Sequence, residues 1–336
     1  MKWIQFNPDS INAYLDFIDT HANSGIWHYP DWLDFQLKSG RAFDGFFFGV
    51  EDHGVIKLAG LILFYKNSLK LTYSYIPGGF LYTDIDKKIY DFFVLNLNKT
   101  AEQYKSIFTQ IDSISPYMQD FFEIISKSKR HKVDQKLPIP SFTNIIELDK
   151  NEEDILLDMK HKGRYNIKLA ERKGVTVKRG DIKDFKKFYD ILKTTSSRDG
   201  FFINEFDYYK QMIENIKDAV FLCAYHGDEL LAAAIFTYTK NQALYYYGAS
   251  SNNFRNLMAP YLLQWNAIKI AKEKKCKYFD FLGISDPDIK NDRLSGVTDF
   301  KLKFGGKVTR FNPSYIIVHN FFIFALYNFL RRVFKR

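Results

Sequence analysis

The densest concentration of positive charge in this sequence lies between Lys160 and Lys187. This window holds eleven Lys and Arg residues, and its acidic residues are Glu171, Asp181 and Asp184. Such a run is typical either of a solvated helix face or of a site for an anion such as a nucleic-acid phosphate. The window therefore supplies candidate phosphate contacts without choosing between these two interpretations.

A second candidate site is a strand, a loop and a helix that follow one another between Tyr245 and Lys274. In acetyltransferase-like folds this order forms a V-shaped opening, where backbone groups and a helix N-terminus can receive an anionic acyl donor. Proteins of that kind usually hold the pyrophosphate of coenzyme A with a glycine-rich loop. The loop here, Arg255 to Pro260, contains no glycine, so we do not expect coenzyme A to bind.

The third stretch, Leu294 to Lys307, combines an aromatic residue, a lysine and a pair of glycines. Phe300 directly precedes Lys301, and Gly305 and Gly306 follow. A turn made by the glycines can hold the lysine cation against a reacting carbonyl group. The same pattern equally fits a β-turn with lysines on the surface.

Taken together, these stretches resemble the Fem family of aminoacyltransferases that build peptidoglycan bridges. The matching motifs occur in order along the chain and cover most of its second half. They are Lys162-x-Arg164-x-x-Ile167-x-x-Ala170-x-x-x-Gly174-Val175, the Tyr-Gly-Ala-Ser stretch that ends at Ser250, Ala259 to Trp265, Tyr278 to Gly283, and Ser295-Gly296 through Gly305-Gly306. In the first half, the resemblance rests on Trp32 and on the stretch from Ile76 to Asp84.

The resemblance implies the transfer of an amino acid from aminoacyl-tRNA to an amine on the stem peptide of a peptidoglycan precursor. An aminoacyl ester is already activated, so the reaction requires positioning and charge stabilisation rather than a metal or a covalent nucleophile. We therefore expect no metal and no cofactor, with aminoacyl-tRNA as the co-substrate. The acceptor would be UDP-MurNAc-pentapeptide or lipid II.

Individual residues receive roles through this resemblance. Lys301, beside Phe300, would stabilise the carbonyl oxygen or the leaving ribose oxygen, so both residues are candidates for catalysis. Asp84 would hold the acceptor ammonium and assist its deprotonation, since a lysine-like amine has a pKa near about 10.4; the alternative is that Asp84 caps a turn. The expected precursor contacts are Lys38, Arg198 and Tyr247, and the expected tRNA contacts are Lys162, Arg164, Lys168, Arg255 and Lys303.

This sequence departs from the family pattern at two positions and in one large feature. Gly163 stands where the family tends to have a small polar residue. Phe202 stands four residues after Arg198, where a tyrosine that contacts substrate is expected in the short form of the family. No heptad pattern is present, so the chain resembles that short form, which has no coiled-coil arm.

The elements that must position these residues form two α/β blocks of similar order. In the first, Gly45 to Val50 and Val55 to Tyr65 form a predicted hairpin, and Lys87 to Tyr104 has the spacing of an amphipathic helix. In the second, a helix predicted over Glu152 to Lys173 precedes further strands and helices. Lys136 to Thr143, which contains two prolines, is the expected linker.

We therefore predict an α/β (α+β) protein with two tandem acetyltransferase-like (GNAT-like) domains, each a mixed sheet flanked by helices. The first domain is expected to span residues 1–143 and 308–336, and the second residues 144–307. The resemblance implies an acceptor cleft between them. The segment from Asn320 to Arg336 is expected to be a helix that packs on the first domain, contacts an anionic membrane surface, or does both.

Composition limits the class of protein further. The 336 residues, 46% of them hydrophobic, suffice for two packed domains, and the net charge of +9 favours anionic partners. Cys223 and Cys276 form neither a disulfide framework nor a zinc-binding pair. No secretory signal opens the sequence, and no apolar run approaches the roughly 20 residues of a bilayer span. We expect a cytoplasmic protein with peripheral contact at the inner membrane face.

Two other functions fit parts of the sequence. An acyl-coenzyme A dependent N-acyltransferase of the GNAT superfamily would use the same scaffold, and the missing glycine loop is the objection to it. A non-catalytic protein could bind RNA or the inner membrane surface through the basic window and the last helix. That alternative leaves Phe300, Lys301 and Tyr247 without a role.

Overall fold

The structure, a computed structural model, describes residues 1–113, 131–134, 141–199, 202–289 and 294–333. The chain divides into two units, the first formed by Met1–Pro138 with Phe311–Arg336 and the second by Ile139–Arg310. These boundaries lie a few residues from the predicted ones. The difference arises because Phe142 to Glu147 and Lys307 to Arg310 are paired strands of the second unit.

The structure describes only part of the predicted linker, Lys136 to Thr143. Its residues up to 140 lie outside the described part of the chain. Phe142 and Thr143 already belong to a strand, so the second sheet begins before the predicted linker ends.

The first unit is built on one mixed sheet. Its strands are β1 (Lys2–Phe6), β2 (Asp44–Asp52), β3 (Val55–Lys66), β4 (Thr72–Ile76), β5 (Phe80–Tyr82), β6 (Ser106–Ser113), β7 (His131–Asp134) and β15 (Asn312–Val318), and its helices are α1 (Ile11–Asp19), α2 (Pro30–Lys38), α3 (Lys87–Gln103) and α10 (Phe321–Val333). The strand order is β1-β2-β3-β4-β6-β15-β7, with β5 paired to β3. β4 and β6 are parallel, and α3 is the connection between them.

Helices cover both faces of this sheet. Successive residues of a strand point to opposite faces, so neighbouring residues pack against different helices. On one face, α3 packs on Phe48 and its neighbours. On the other face, Phe47 packs against Tyr14 of α1, with 4.6 Å between the ring centroids. The Tyr65 hydroxyl donates to Oε1 of Gln36 in α2 at 3.1 Å, which places α2 on this second face as well.

A row of aromatic rings continues across the second face from β3 to α10. Tyr65 stacks on Tyr73, Tyr73 stacks on Phe108, and Phe108 contacts both Phe324 and Tyr327 of α10, with centroid distances from 5.3 to 6.1 Å. α10 therefore shares a sheet face with α1 and α2. The prediction that the segment after residue 320 forms a helix packed on the first domain is confirmed.

The second unit is also built on one mixed sheet. Its strands are β8 (Phe142–Glu147), β9 (Thr176–Arg179), β10 (Ala219–His226), β11 (Glu229–Tyr238), β12 (Gln242–Ser250), β13 (Tyr278–Asp280) and β14 (Lys307–Arg310), and its helices are α4 (Glu152–Asp158), α5 (His161–Arg172), α6 (Ile182–Asp199), α7 (Phe206–Asn215), α8 (Ala259–Glu273) and α9 (Ser295–Lys301). The strand order is β14-β8-β13-β12-β11-β10-β9. β12 and β13 are parallel and joined by α8, so each unit contains one parallel β-α-β element.

The helix predicted over residues 152–173 is wrong in one respect, because the chain breaks it at Met159 and Lys160. Both residues have extended backbone torsions, with ψ of 149° and 145°. The Lys160 N–H donates to the carbonyl of Lys303 at 3.1 Å. On the other side of the break, the Arg164 guanidinium donates to the Met159 carbonyl and to two carbonyls at the end of α4. The last carbonyls of a helix lack the N–H donor of a following turn, so Arg164 caps α4.

The contact between α5 and the turn after α9 depends on the absence of a side chain at Gly163. A Cβ atom on Gly163 would come within 2.3 Å of the Lys303 carbonyl oxygen. On Gly296 in α9, by contrast, a Cβ atom would meet nothing within 4 Å. The two helical glycines therefore differ in the space beside them, and Gly296 serves as the control for Gly163.

We predict that Gly163→Ala lowers the free energy of unfolding by about 1 to 3 kcal/mol, because α5 and the Lys303 turn must move apart. Gly296→Ala should leave it unchanged or raise it by up to about 1 kcal/mol, because alanine is the better helix former. Urea denaturation of both variants measures the two effects. Equal stabilities would show that the Gly163 contact can relax without cost.

Candidate active site

The parallel strands of the second unit run side by side for a short distance only. β12 and β13 pair over three positions, from Gln242↔Tyr278 to Leu244↔Asp280. β12 then continues to Ser250, while the chain after Asp280 turns away through Leu282 and Gly283, which have φ values of 46° and 60°. The two strands consequently part just beyond Leu244 and Asp280.

Lys301 fills the point where the strands part. It is the last residue of α9, and its side chain is only 6% exposed. Its Nζ donates to the carbonyl of Gly283 at 2.7 Å and to the carbonyl of Leu282. The same Nζ lies 5.4 Å from the ring centroid of Tyr245, the first β12 residue beyond the paired stretch. A cation is thus buried between the diverging ends of β12 and β13.

Asp280 fixes the turn that receives this cation. Its side chain is fully buried. Oδ1 accepts hydrogen bonds from the Leu282 N–H at 2.8 Å and from the Thr143 hydroxyl, and Oδ2 accepts one from Gln242 Nε2 at 3.2 Å. Asp280 therefore holds the Leu282 backbone in the left-handed conformation that directs the Leu282 carbonyl at Lys301.

The surroundings of Lys301 change its proton affinity. Burial lowers the pKa of the ammonium to about 7, and the negative charge of Asp280 opposes this shift. Burial raises the pKa of Asp280, although its hydrogen bonds from Thr143 and from the Leu282 N–H act in the other direction. A lysine of this kind exists near neutral pH as a mixture of the charged and neutral forms, so it can both stabilise a negative charge and exchange a proton.

Aromatic residues and one amide hold the segment that carries Lys301. Phe300 packs edge-on against Tyr261 of α8 and against Phe304, at 5.0 and 5.3 Å between centroids. Asn144 of β8 donates through Nδ2 to the carbonyl of Gly305 at 2.7 Å and to that of Lys301 at 3.3 Å. The pattern at residues 300–307 therefore forms a helix end with a buried lysine, and the alternative of a β-turn with surface lysines is wrong for Lys301.

Tyr247 and Tyr245 lie on opposite sides of β12, and Tyr245 is the residue near Lys301. A β-bulge at Tyr246, opposite the Ile235–Phe236 pair of β11, inserts one extra residue between them. Tyr245 consequently packs in the core below α8, whereas Tyr247 packs edge-on against Tyr209 of α7 at 4.8 Å. Burial raises the pKa of Tyr247 well above its usual value, so its hydroxyl stays neutral.

The predicted tRNA contacts differ in exposure and in bonding. Lys162 and Lys168 are exposed on α5, and Arg255 is exposed in the turn before α8. Arg164 is instead committed to the carbonyls at the end of α4. Lys303 is partly buried, with Nζ 5.9 Å from the Tyr261 ring centroid. Exposure thus favours the first three residues as phosphate contacts.

The predicted acceptor contacts of the first unit are both exposed. Lys38 ends α2, and Asp84 lies in the loop between β5 and α3. The residue that caps α3 is Asp86, whose Oδ1 accepts from the Ile89 N–H at 2.8 Å. Arg198 belongs to α6, but its side chain lies outside the part of the chain that the structure describes.

Comparison with known proteins gives a family for this arrangement. The FemAB family model matches residues 132–226 and 222–332, more than half of the chain. The chain belongs to the FemAB family. Among FemAB relatives, lipid II:glycine glycyltransferase of Staphylococcus haemolyticus is 21% identical over 365 aligned residues, which cover 86% of this chain and 87% of the relative. The enzyme of the same name from Staphylococcus aureus is 22% identical over 86% of this chain and 87% of its own length.

Solved structures agree on the fold of this FemAB chain. The crystal structure of FemX superimposes with a TM-score of 0.85 at 19% identity, covering 97% of this chain and 99% of FemX. A tandem GNAT protein from the clavulanic acid biosynthesis pathway reaches a TM-score of 0.58 at 11% identity, covering 95% of this chain and 98% of that protein. The Fem resemblance and the fold class of two tandem GNAT-like domains are therefore confirmed. The roles given to individual residues stay predictions.

The sequence alone did not indicate a role for three residues of this site: Asp280, Thr143 and Asn144. Asp280 was visible as the single acid in the apolar stretch Tyr278 to Gly283, and Thr143 and Asn144 as neighbouring polar residues that open a strand. A buried acid inside an apolar strand needs partners, which was the available signal. Its partner could not be named, because Lys301 is distant in sequence.

We predict that Asp280→Asn lowers the pKa of Lys301 below about 7, because it removes the one negative charge that opposes the effect of burial. Nitrogen-labelled lysine side chains followed by NMR through a pH titration measure this pKa. Asp299→Asn is the matched control, since Asp299 is an exposed acid on α9, and it should leave the Lys301 titration unchanged. A Lys301 pKa that stays the same in Asp280→Asn would show that the two groups do not interact.

Proposed function

We propose that this chain is an aminoacyltransferase that moves an amino acid from aminoacyl-tRNA to an amine on the stem peptide of a peptidoglycan precursor. Membership of the FemAB family and the relatives named lipid II:glycine glycyltransferase support transfer onto such a precursor. The observation that carries the proposal is the buried Lys301 ammonium at the diverging ends of β12 and β13. Acetyltransferase-like folds bring an acyl donor to that position.

The reaction forms an amide bond and breaks an ester bond. The acceptor nitrogen attacks the ester carbonyl carbon, whose oxygen takes up negative charge; the carbon–oxygen bond to the terminal ribose then breaks. Because the acceptor arrives as an ammonium, its nitrogen loses two protons: one leaves to solvent before the attack, and the other ends on the ribose oxygen, so no oxidant or further reactant is needed. The chain must therefore stabilise an oxyanion and pass one proton along.

Lys301 has the properties for both tasks. An ammonium has three protons, and within the described residues two of them have acceptors, the carbonyls of Leu282 and Gly283. The third is available to the ester oxygen. Because few waters screen a buried charge, its attraction for an oxyanion is stronger than at the surface. The ammonium form prevails below about pH 7 and is lost above it, in line with the lowered pKa.

The donor ester would reach Nζ where β12 and β13 part. In this proposal the exposed cations Lys162, Lys168 and Arg255 bind phosphates near the acceptor end of the tRNA, since phosphates attract Lys and Arg regardless of sequence. The acceptor side comprises Asp84, which would hold the incoming ammonium, and Lys38, which would contact precursor phosphates. Arg198 and Tyr247 complete the proposed set.

The acceptor that we propose is lipid-linked, because the staphylococcal relatives are lipid II:glycine glycyltransferases. The soluble nucleotide-linked precursor carries the same stem peptide and is the natural comparison. Mass measurement of products from both precursors, each offered with a panel of charged tRNAs, identifies the acceptor and the transferred amino acid. Product from acetyl-coenzyme A and generic amines, with none from charged tRNA, would overturn the proposal.

We predict that Lys301→Met lowers kcat for transfer from charged tRNA by about 10²-fold or more, because it removes the charge that stabilises the oxyanion. Lys307→Met, an exposed lysine six residues further along, should retain wild-type kcat. Single-turnover transfer from labelled aminoacyl-tRNA measures both variants, and circular dichroism shows whether each is folded. A folded Lys301→Met enzyme with wild-type turnover would remove Lys301 from the mechanism.

We predict that Lys162→Gln with Lys168→Gln weakens binding of aminoacyl-tRNA and flattens its dependence on salt by about one to two units in the log–log slope, because fewer counterions are released. Lys88→Gln with Lys99→Gln removes the same charge from exposed positions on α3 and should leave the slope unchanged. Filter binding at several salt concentrations measures the slopes. Equal effects of the two pairs would indicate that net charge, rather than α5, attracts the tRNA.

A further inference from the structure

α10 exposes more large apolar side chains than a helix packed on a sheet requires. Phe322 is 89% exposed and Phe329 is 63% exposed. The other large apolar residues exposed on this helix are Phe321, Ile323, Leu326 and Val333. Contiguous apolar surface of this kind is rare on soluble proteins unless it meets a partner.

The side of α10 that stabilises the fold is a different one. Phe324 is buried, and it packs with Tyr327 on Phe108, Ile316 and Val318 of the first sheet. The outward residues Phe322 and Phe329 take no part in that cluster. The fold therefore accounts for one side of the helix and leaves the other apolar side unexplained.

The charges on and near α10 indicate what kind of partner could cover its exposed apolar side. The sequence from Phe311 to Val333 contains no Asp or Glu, and Arg331 is exposed near the end of α10. Its guanidinium lies 5.7 Å from the ring centroid of Tyr327, so this cation sits at the end of the sheet-facing side and not among the outward apolar residues. An amphipathic helix with an apolar outward side, an exposed cation near its end and no acidic residue matches the interior and the phosphate layer of an anionic bilayer.

The length and the surface of α10 argue against a membrane-spanning helix and against a contact between two copies of the chain. A helix of 13 residues is about 20 Å long, which is shorter than the roughly 30 Å of a hydrocarbon core. Within the described chain, no helix combines the length and the hydropathy needed to cross a bilayer. A second copy of α10 would bring like charges together, and one short helix face falls well below the roughly 1,200 Å² of a stable protein interface.

We propose that α10 lies in the surface of an anionic phospholipid bilayer, with Phe322 and Phe329 inserted among the acyl chains and Arg331 at the headgroup phosphates. The occupant of this face is thus lipid rather than protein. The row from Tyr65 through Tyr73 to Phe108 places α2, which ends at the exposed Lys38, on the same sheet face as α10. If the proposed lipid-linked acceptor is correct, Lys38 meets phosphates on the side of the first unit that faces the membrane.

Flotation of the full chain with vesicles tests this proposal without tRNA or acceptor. Wild-type protein should float with vesicles of phosphatidylcholine and phosphatidylglycerol and much less with phosphatidylcholine alone. Phe322→Glu with Phe329→Glu should reduce the bound fraction about tenfold or more, and Arg331→Gln about fivefold. The matched control is Leu95→Glu, which changes a 53% exposed leucine on α3, across the sheet from α10, and it should float like wild type.

Three results would overturn the proposal. Wild-type protein could remain unbound with anionic vesicles, or Leu95→Glu could abolish flotation as fully as the α10 substitutions. Light scattering could also show a dimer that Phe322→Glu with Phe329→Glu converts to monomer while vesicle binding is unchanged. Thermal melting confirms that each variant is folded. Transfer to the lipid-linked precursor dispersed in detergent, where no bilayer has to be bound, should survive the α10 substitutions, so loss of membrane binding is distinguishable from failure of the proposed reaction.

Discussion

The position of one buried ammonium governs the second unit. Lys301 is taken out of water, and a buried cation is tolerated only where acceptors replace its hydration. The carbonyls of Leu282 and Gly283 do so, but they point at Nζ only because the chain after β13 adopts left-handed torsions. Asp280 holds that conformation through the Leu282 N–H and supplies a compensating charge. The diverging strands, the left-handed turn and the buried lysine therefore depend on one another. Removing any one of them would leave polar groups of the other two without partners.

Local sequence patterns predicted the elements well, and contacts between distant segments caused the errors. The hairpin of β2 and β3 follows from alternating apolar residues and a turn at His53 and Gly54, which have φ values of 49° and 80°. The helix predicted over 152–173 had continuous helical periodicity, yet the structure interrupts it. The Lys303 carbonyl accepts from Lys160, and Arg164 caps the helix that has ended. The bond from Lys160 has no local signature, because Lys303 lies far along the chain.

The candidate site could be predicted in composition but not in geometry. Family resemblance selected Lys301 and Tyr247, and nothing local distinguished Tyr247 from Tyr245. A single bulged residue decides which of the two faces the lysine, and a bulge depends on pairing with β11 rather than on the β12 sequence. Likewise, Asp280 is recognisable as an acid in an apolar strand, but its function follows only from the turn that it holds. Polar groups act here through tertiary partners, which a linear pattern cannot specify.

The two units share one architecture but differ in the polar groups that lie between their parallel strands. Each contains a parallel strand pair joined by a helix, β4 with β6 and β12 with β13. In the first unit the pairing continues to the end of β4, and buried hydroxyls between the strands bond to one another, such as Ser74 with Thr109 at 2.7 Å. Among the described residues of that unit, no Lys or Arg is buried. In the second unit the pairing stops early and a cation occupies the gap. Neutral hydroxyls that satisfy one another stabilise a closed pair, whereas an ammonium with a proton to spare can bind a developing negative charge. The same β-α-β element therefore serves as scaffold in one unit and holds the proposed reaction centre in the other.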